Sequence, residues 1–184
     1  MAKKIRLAVM LGGKSNEHSI SVATAGGVLS AIDRSKYEVI AIGITKRGDF
    51  VPFEVDPATL SLAEGLKEVS FEGERLEFAL DGTCELYKIA KTGSRESLGV
   101  IDVVMPLLHG PFGEDGVMQG YLELVGVPYV GNGVLASAAA MDKQVSKALF
   151  RANGIPTPDH VVISTRDMVN DPESALERIR SLKK

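Results

Sequence analysis

IRLAVMLGGKSNEHSIS, Ile5 to Ser21, decides the fold. Its first part, Ile5 to Leu11, is a short apolar run broken only by Arg6. A run of this length ending in Gly-Gly reads as a strand buried in a parallel sheet. Ser15 and Asn16 are good caps for a helix that starts after the glycines. Ile20, Ala23, Thr24, Gly27, Val28 and Ala31 recur at helical spacing, which predicts one stripe facing the sheet. Tyr37 to Ile44, apolar and β-branched, reads as the next strand. Strand, helix and strand within ~40 residues make a βαβ unit, expected to be right-handed. The Gly12-Gly13 turn then aims backbone N–H groups at whatever sits above the strand end.

A second junction of the same character is HGPFGEDG, His109 to Gly116. It joins a buried-strand pattern, Val100 to Leu108, to Met118, Tyr121, Leu122 and Val125, spaced as one helix face. This predicts a helix from about Glu114 to Val125, stopped by Gly126 before Pro128. The strands beginning at Ile5 and Val100 are both expected to be central. A short strand at Val127 to Val130 and helices at Val134 to Ala140 and about Asp142 to Ala152 follow. In the last of these, Val145 and Leu149 are expected inside, with Gly154 just past its end. Between the two junctions, residues 45–99 are punctuated by glycine and proline. They read as an insertion with a hairpin, Arg75 to Leu80 and Cys84 to Ala90, around Asp81-Gly82. After Pro158 the pattern changes to a strand at Val161 to Ile163 and a charged helix at Asp171 to Leu182. The expected fold is α/β: an open, mostly parallel sheet with helices on both faces and a small β insertion. The expected domains are residues 1–155 and the opening of another domain at 156–184.

Among the 184 residues 45% are apolar, enough for a real core and against disorder. The net charge of −3, with both signs mixed, argues against a nucleic-acid surface. A single cysteine, Cys84, excludes an intrachain disulfide and a cysteine-based zinc site, and fits a reducing compartment. No apolar run reaches the ~18 residues of a membrane span. The basic start, Met1-Ala2-Lys3-Lys4, lacks the longer apolar region of a secretory signal. A soluble, cytoplasmic protein is expected.

Candidate chemistry gathers at the junctions. The spacing after β-like Ile5 to Leu11 is neither G-x-G-x-x-G nor a Walker-type phosphate loop. Glu17 sits in the first turn of a helix, where a carboxylate simply complements the positive helix end or grips a substrate ammonium. His109 ends a strand before Gly110, a place for a ligand or for a capping or core histidine. His18 reads as a neighbour that orients the loop or faces solvent. Glu114 and Asp115 open a helix and cap it. Lys143 stands at a helix start, which suits a solvated surface lysine or one that meets an anion such as phosphate. His18, His109 and His160 lack metal-ligand spacing.

Four blocks together resemble the N-terminal part of the bacterial D-alanine–D-alanine ligases of the ATP-grasp superfamily. They are GGKSNEHSIS at 12–21, HGPFGEDG at 109–116 with Met118-Gln119-Gly120, GVPYVGNGVLASA at 126–138, and Met141-Asp142-Lys143. The resemblance implies a Rossmann-like substrate-binding domain followed by the beginning of the central ATP-grasp domain. It implies that Glu17 holds the ammonium of the first D-alanine and that His109 lines the same site. Gly12, Gly13 and Gly110 would shape that pocket, and Lys143 would contact nucleotide phosphate. Family members join two D-alanines through an acyl phosphate, using ATP and Mg²⁺, for peptidoglycan precursors. The family's magnesium ligands and most of its nucleotide site would lie beyond residue 184, so this chain alone is expected to be inactive. A homodimer formed through this domain is expected on the same ground. Two other readings stand beside it: a ligase joining D-alanine to D-lactate or D-serine, and a non-catalytic α/β module that binds a small molecule.

Overall fold

A computed structural model of the chain describes residues 3–182; Met1 and Ala2 of the basic start lie outside them. Contacts divide the chain into two compact units, Met1–Ala138 and Ala139–Lys184.

The first unit is α/β. β1 (Ile5–Gly12) pairs in parallel with β2 (Tyr37–Ile44) on one side and with β7 (Val103–Pro106) on the other. β3 (Phe50–Pro52) adds antiparallel to β2, giving the order β3-β2-β1-β7. The buried pattern of β1 follows from this: it has neighbours on both edges and packed layers on both faces. Leu7, Val9 and Leu11 face helix α1 (His18–Ala31), with Val22, Ala25 and Leu29 opposite them. Ala8 and Met10 face the other way, toward Met118, Leu122 and Val125 of α2 (Val117–Val125). Each fully buried Val or Leu in these layers contributes roughly 1.5–3 kcal/mol.

The insertion forms a second, antiparallel sheet on the α2 side. β4 (Arg75–Phe78) and β5 (Glu85–Ile89) make the expected hairpin, and β6 (Arg95–Val100) adds a third strand. Leu76, Phe78 and Leu86 join the core beneath β1. Arg6, the one charge in β1, ties this sheet to the main one. Its guanidinium donates to the carbonyls of Leu98 and Val100 and to Glu38, while its N–H meets Asp102 at 2.7 Å.

Several expectations need correction. The run from Val100 to Leu108 is not one strand: β6 ends at Val100, and the chain passes Ile101-Asp102 before β7 begins. β7 is the outermost named strand of its sheet rather than an interior one. Its outer side is covered by residues 128–130, through Val104 N–H to Pro128 (2.8 Å) and Val130 N–H to Val104 (2.9 Å). Val104 is accordingly fully buried. Val127 to Val130 is therefore a single bridge, Val104 to Tyr129, and not a strand.

Helix α1 buries the face opposite to the predicted one. His18, Ser21, Val22, Ala25, Gly26 and Leu29 are inside, whereas Ile20 is 44% exposed. A two-residue shift turns a helix by roughly 200°. Both faces carry small and apolar residues, so periodicity did not separate them. Hydrogen bonds to strand ends did, as described below. α2 begins at Val117, not Glu114, because Gly116 (φ +93°) and Phe112 (φ +67°) hold the preceding turn outside helical space. It stops at Gly126, left-handed at φ +82°, as expected. Helix α3 spans Val134–Met141.

In the second unit, α4 (Lys143–Ala152) exposes Val145 and Leu149, contrary to expectation, and buries Ser146. Gly154 follows its end with φ +72°. Residues 161–163 form no strand; Arg178 instead donates to the Val162 carbonyl at 2.6 Å. α5 (Thr165–Asn170) carries a Ser164–Asp167 capping box, and the predicted charged helix is α6 (Pro172–Arg180).

The α1–β2 connection carries a pH-dependent contact. Asp33 accepts from the N–H and the hydroxyl of Ser35, which lowers its pKa from 3.8 to about 2. A carboxylate with a depressed folded pKa stabilises above its unfolded pKa and loses that contribution as pH falls through the folded value. The stability difference between the chain and Asp33→Ala should therefore be constant well above 3.8, shrink as pH falls below it, and be lost as pH passes below about 2. Acid titration of the two melting curves reads this directly. A gap that persists undiminished at pH 2 would refute it.

Candidate functional site

β1 is the strand from which the sheet grows in both directions, to β2 and to β7. In open α/β sheets the crevice outside the carboxyl ends at such a switch is where ligands bind. The residues that fill this crevice come from the two junctions.

After β1 the chain turns through Gly12 (φ +89°) and Gly13 (φ +99°). Gly12 has no room for a side chain: a Cβ there would lie 2.4 Å from the Ile44 carbonyl oxygen. His18, at the start of α1, is wholly buried under this turn and does not face solvent. Its Nδ1 bonds the Gly13 carbonyl at 2.7 Å, and the Val69 N–H donates to its Nε2 at 2.9 Å. With Nε2 as acceptor, Nδ1 must carry the proton, so both ring nitrogens are satisfied by backbone in the neutral ring. His18 thus clamps the turn to the insertion and has no nitrogen left for a ligand.

Three hydroxyls of the 15–24 stretch then stitch it to the end of β7. Ser21 accepts from the Gly12 N–H (2.8 Å) and donates to the Leu107 carbonyl (2.6 Å). Ser15 accepts from the Glu17 N–H (3.1 Å) and donates to the His109 carbonyl (2.6 Å). Thr24 Oγ1 meets His109 Nε2 at 3.1 Å. The Ser21 bonds, with that of His18 to Gly13, explain which face of α1 is buried. None of Ser15, Ser21 and Thr24 was singled out in the sequence as a site residue; of the two readings of His18, the one that orients the loop holds and the solvent-facing one does not. The available signal was a set of hydroxyls spaced three and six apart after a Gly-Gly turn.

This stitching brings Glu17 and the His109–Gly110 turn to one crevice. The Glu17 carboxylate lies over Gly110: a Cβ on Gly110 would be 2.7 Å from Glu17 Oε2. Gly110 is left-handed at φ +71°. Its N–H is taken by Glu114 Oε2 at 2.6 Å, and Asp115 accepts from the Phe112 and Val117 N–H groups. Both acids of HGPFGEDG are therefore spent on shaping the loop. Glu17 is exposed and makes no ion pair among the described residues. A carboxylate held at a crevice mouth with an imidazole nearby can accept a small cation such as an ammonium.

The family model described as D-ala D-ala ligase N-terminus matches residues 6–132. The chain belongs to this family. A D-alanine–D-alanine ligase of Nocardia farcinica is 48% identical over 164 residues, covering 89% of this chain and 45% of that protein. A solved D-alanine–D-alanine ligase of Coxiella burnetii is similar in fold (TM-score 0.74, 31% identity, 96% of this chain, 49% of that one). So is the VanG D-Ala:D-Ser ligase of Enterococcus faecalis (TM-score 0.74, 28% identity, 97% and 49% covered). The chain spans about half the length of these relatives. The ligase N-terminal family thus accounts for the first unit, where Gly12, Gly13, Glu17, His109 and Gly110 all lie.

Lys143 belongs to the second unit, as the first residue of α4. Its ammonium is exposed and reaches only the Ala140 carbonyl, at 3.4 Å. The anion that balances this helix start is already present, because Asp142 caps the Gln144 and Val145 N–H groups (2.8 and 3.0 Å). A nucleotide phosphate could therefore use the Lys143 ammonium, but not those two amides. Among the described residues no three His, Cys, Asp or Glu side chains are grouped to hold a metal ion. No helix of the described residues is long and apolar enough to cross a membrane.

Proposed function

We propose that this chain supplies the first D-alanine site of an ATP-dependent D-alanine–D-alanine ligase. The observation that carries the reading is the convergence of Glu17 with the His109–Gly110 turn at the sheet's switch point. The Thr24–His109 bond that helps close this crevice joins residues 85 apart in sequence. Glu17 receives the substrate ammonium by a charge-assisted contact, and the left-handed glycine turns leave space for the small amino acid. His109, with Nε2 held by Thr24, lines the same crevice with a fixed ring. Gly12 and Gly13 form the turn beneath it.

ATP would supply the activation: transfer of its γ-phosphoryl group to a D-alanine carboxylate would give an acyl phosphate and ADP, and the amine of a second D-alanine would then displace inorganic phosphate. Lys143 fits a role as one cation toward nucleotide phosphate. The described residues do not fit a magnesium site. A cytoplasmic homodimer belongs to the same proposal and rests on the family resemblance. D-serine or D-lactate as second substrate is the alternative, and the VanG likeness keeps the D-serine form in view.

Titration of D-alanine into the labelled chain tests the site. The amides of Glu17, His109 and Gly110 should shift saturably, and L-alanine should act more weakly. The purified chain should release no phosphate in response to D-alanine. Steady D-alanine-dependent phosphate release, or shifts confined to other surfaces, would overturn the assignment.

A further inference from the structure

Next to the Glu17 crevice, on the α2 side of the His109–Gly113 turn, lies a cavity of 380 Å³. Ile44, Phe50, Leu108, Phe112, Met118 and Tyr121 supply its apolar surface. Lys14 and His109 also line it, and no Asp or Glu does. A volume of this size, apolar with a few convergent polar groups, is characteristic of a small-molecule site.

Its charge pattern is one-sided for a local reason. Asp49, between the lining residues Gly48 and Phe50, accepts from the Thr45 hydroxyl, and Glu114 and Asp115 are bonded to the N–H groups of Gly110, Phe112 and Val117. Lys14 makes no ion pair among the described residues. Its stem packs along Gly48, and its ammonium stands 5.0 Å from the Phe112 ring centroid. Phe112 holds that ring in place from a left-handed backbone, φ +67°, a conformation that costs energy in a residue with a side chain. Tyr121 is set edge-on to Phe50 at 5.4 Å, and burial pushes its hydroxyl pKa up, so it adds no negative charge.

We propose that this cavity binds a small organic acid: an aromatic-sized apolar body with a single carboxylate facing Lys14. This occupant is chemically distinct from a first-site amino acid. The crevice beside Glu17 offers a carboxylate to an ammonium, while the cavity offers an ammonium and no carboxylate. A methyl side chain would leave most of its volume unfilled. The proposal does not depend on the ligase reading, because it concerns binding alone.

The test uses 3-phenylpropionate and its amine counterpart, 3-phenylpropylamine, with the methyl-labelled 184-residue chain. The acid should move the Ile44, Leu108 and Met118 methyl signals saturably and leave Val22 and Leu29, in the α1 layer, unmoved. The amine should bind more weakly. Lys14→Gln should weaken the acid roughly threefold to fivefold, and Lys14→Arg should keep most of the affinity, as for an exposed ion pair. Lys14 is exposed, so neither variant threatens folding. Equal binding of amine and acid would overturn the proposal. So would an unchanged affinity in Lys14→Gln, or shifts that appear first at Val22 and Leu29.

Discussion

Replacing Gly12 by alanine is expected to destabilise the chain by about 3 kcal/mol or more. Two costs add. An L-residue at φ +89° pays roughly 1–2 kcal/mol for its left-handed backbone. The new Cβ would also press on the Ile44 carbonyl oxygen at 2.4 Å, on His18 Cε1 at 2.9 Å and on Val69 Cγ2 at 2.9 Å. The first of these is backbone inside the β1–β2 pair and cannot step aside without disturbing the ladder. Overpacking of this kind costs typically 1–3 kcal/mol. Against a total stability of roughly 5–15 kcal/mol the loss is large. Gly27→Ala is the control. Gly27 lies in α1, and nothing comes within 4 Å of the position its Cβ would take. Alanine there should stabilise by about 0.5–1 kcal/mol. Thermal or urea unfolding of the two variants gives opposite signs if the turn geometry is right. A Gly12→Ala chain that melts with the parent would show that the turn can open.

If this chain supplies the first D-alanine site of a ligase, as proposed, Glu17→Gln should raise that enzyme's Michaelis constant for the first D-alanine about tenfold to a hundredfold. A hydrogen bond to a charged group contributes about 1.5–3 kcal/mol, and 1.4 kcal/mol is a factor of ten. Glutamine keeps the shape over Gly110, so the variant removes charge and little else. The loss should fall on the constant for the first D-alanine, with a smaller change in turnover, because the ammonium is bound in ground and transition states alike. Glu17 is exposed, and its removal should leave the melting temperature nearly unchanged. An unchanged constant, or a loss confined to turnover, would sink the ammonium role. A collapse of stability would instead point to a structural one.

Much of the architecture was legible in the sequence because it depends on local rules. The short apolar runs at Ile5 and Tyr37 became parallel strands, since a strand covered on both faces must be apolar nearly throughout. Glycine at 126 ended α2, because its left-handed backbone needs no Cβ. The Asp81-Gly82 hairpin followed from turn chemistry. The blocks around Gly12 and His109 marked the crevice-forming turns, because loops at strand ends concentrate glycines and ionisable groups.

Only the tertiary structure decided the rest. The face that α1 buries was set by where backbone groups at two strand ends needed partners, at Gly12, Gly13 and Leu107. Hydrophobic periodicity carries no information about such partners, and on a helix with small apolar residues all round it pointed the wrong way. Val100 to Leu108 divided because the antiparallel insertion sheet captured its first residue, Val100, opposite Glu85 of the preceding strand. His18 was buried because both ring nitrogens found backbone partners, one of them Val69, 51 residues along the chain. Where a polar side chain ends up depends on which unpaired backbone group folding brings to it, and that is a property of the assembled sheet.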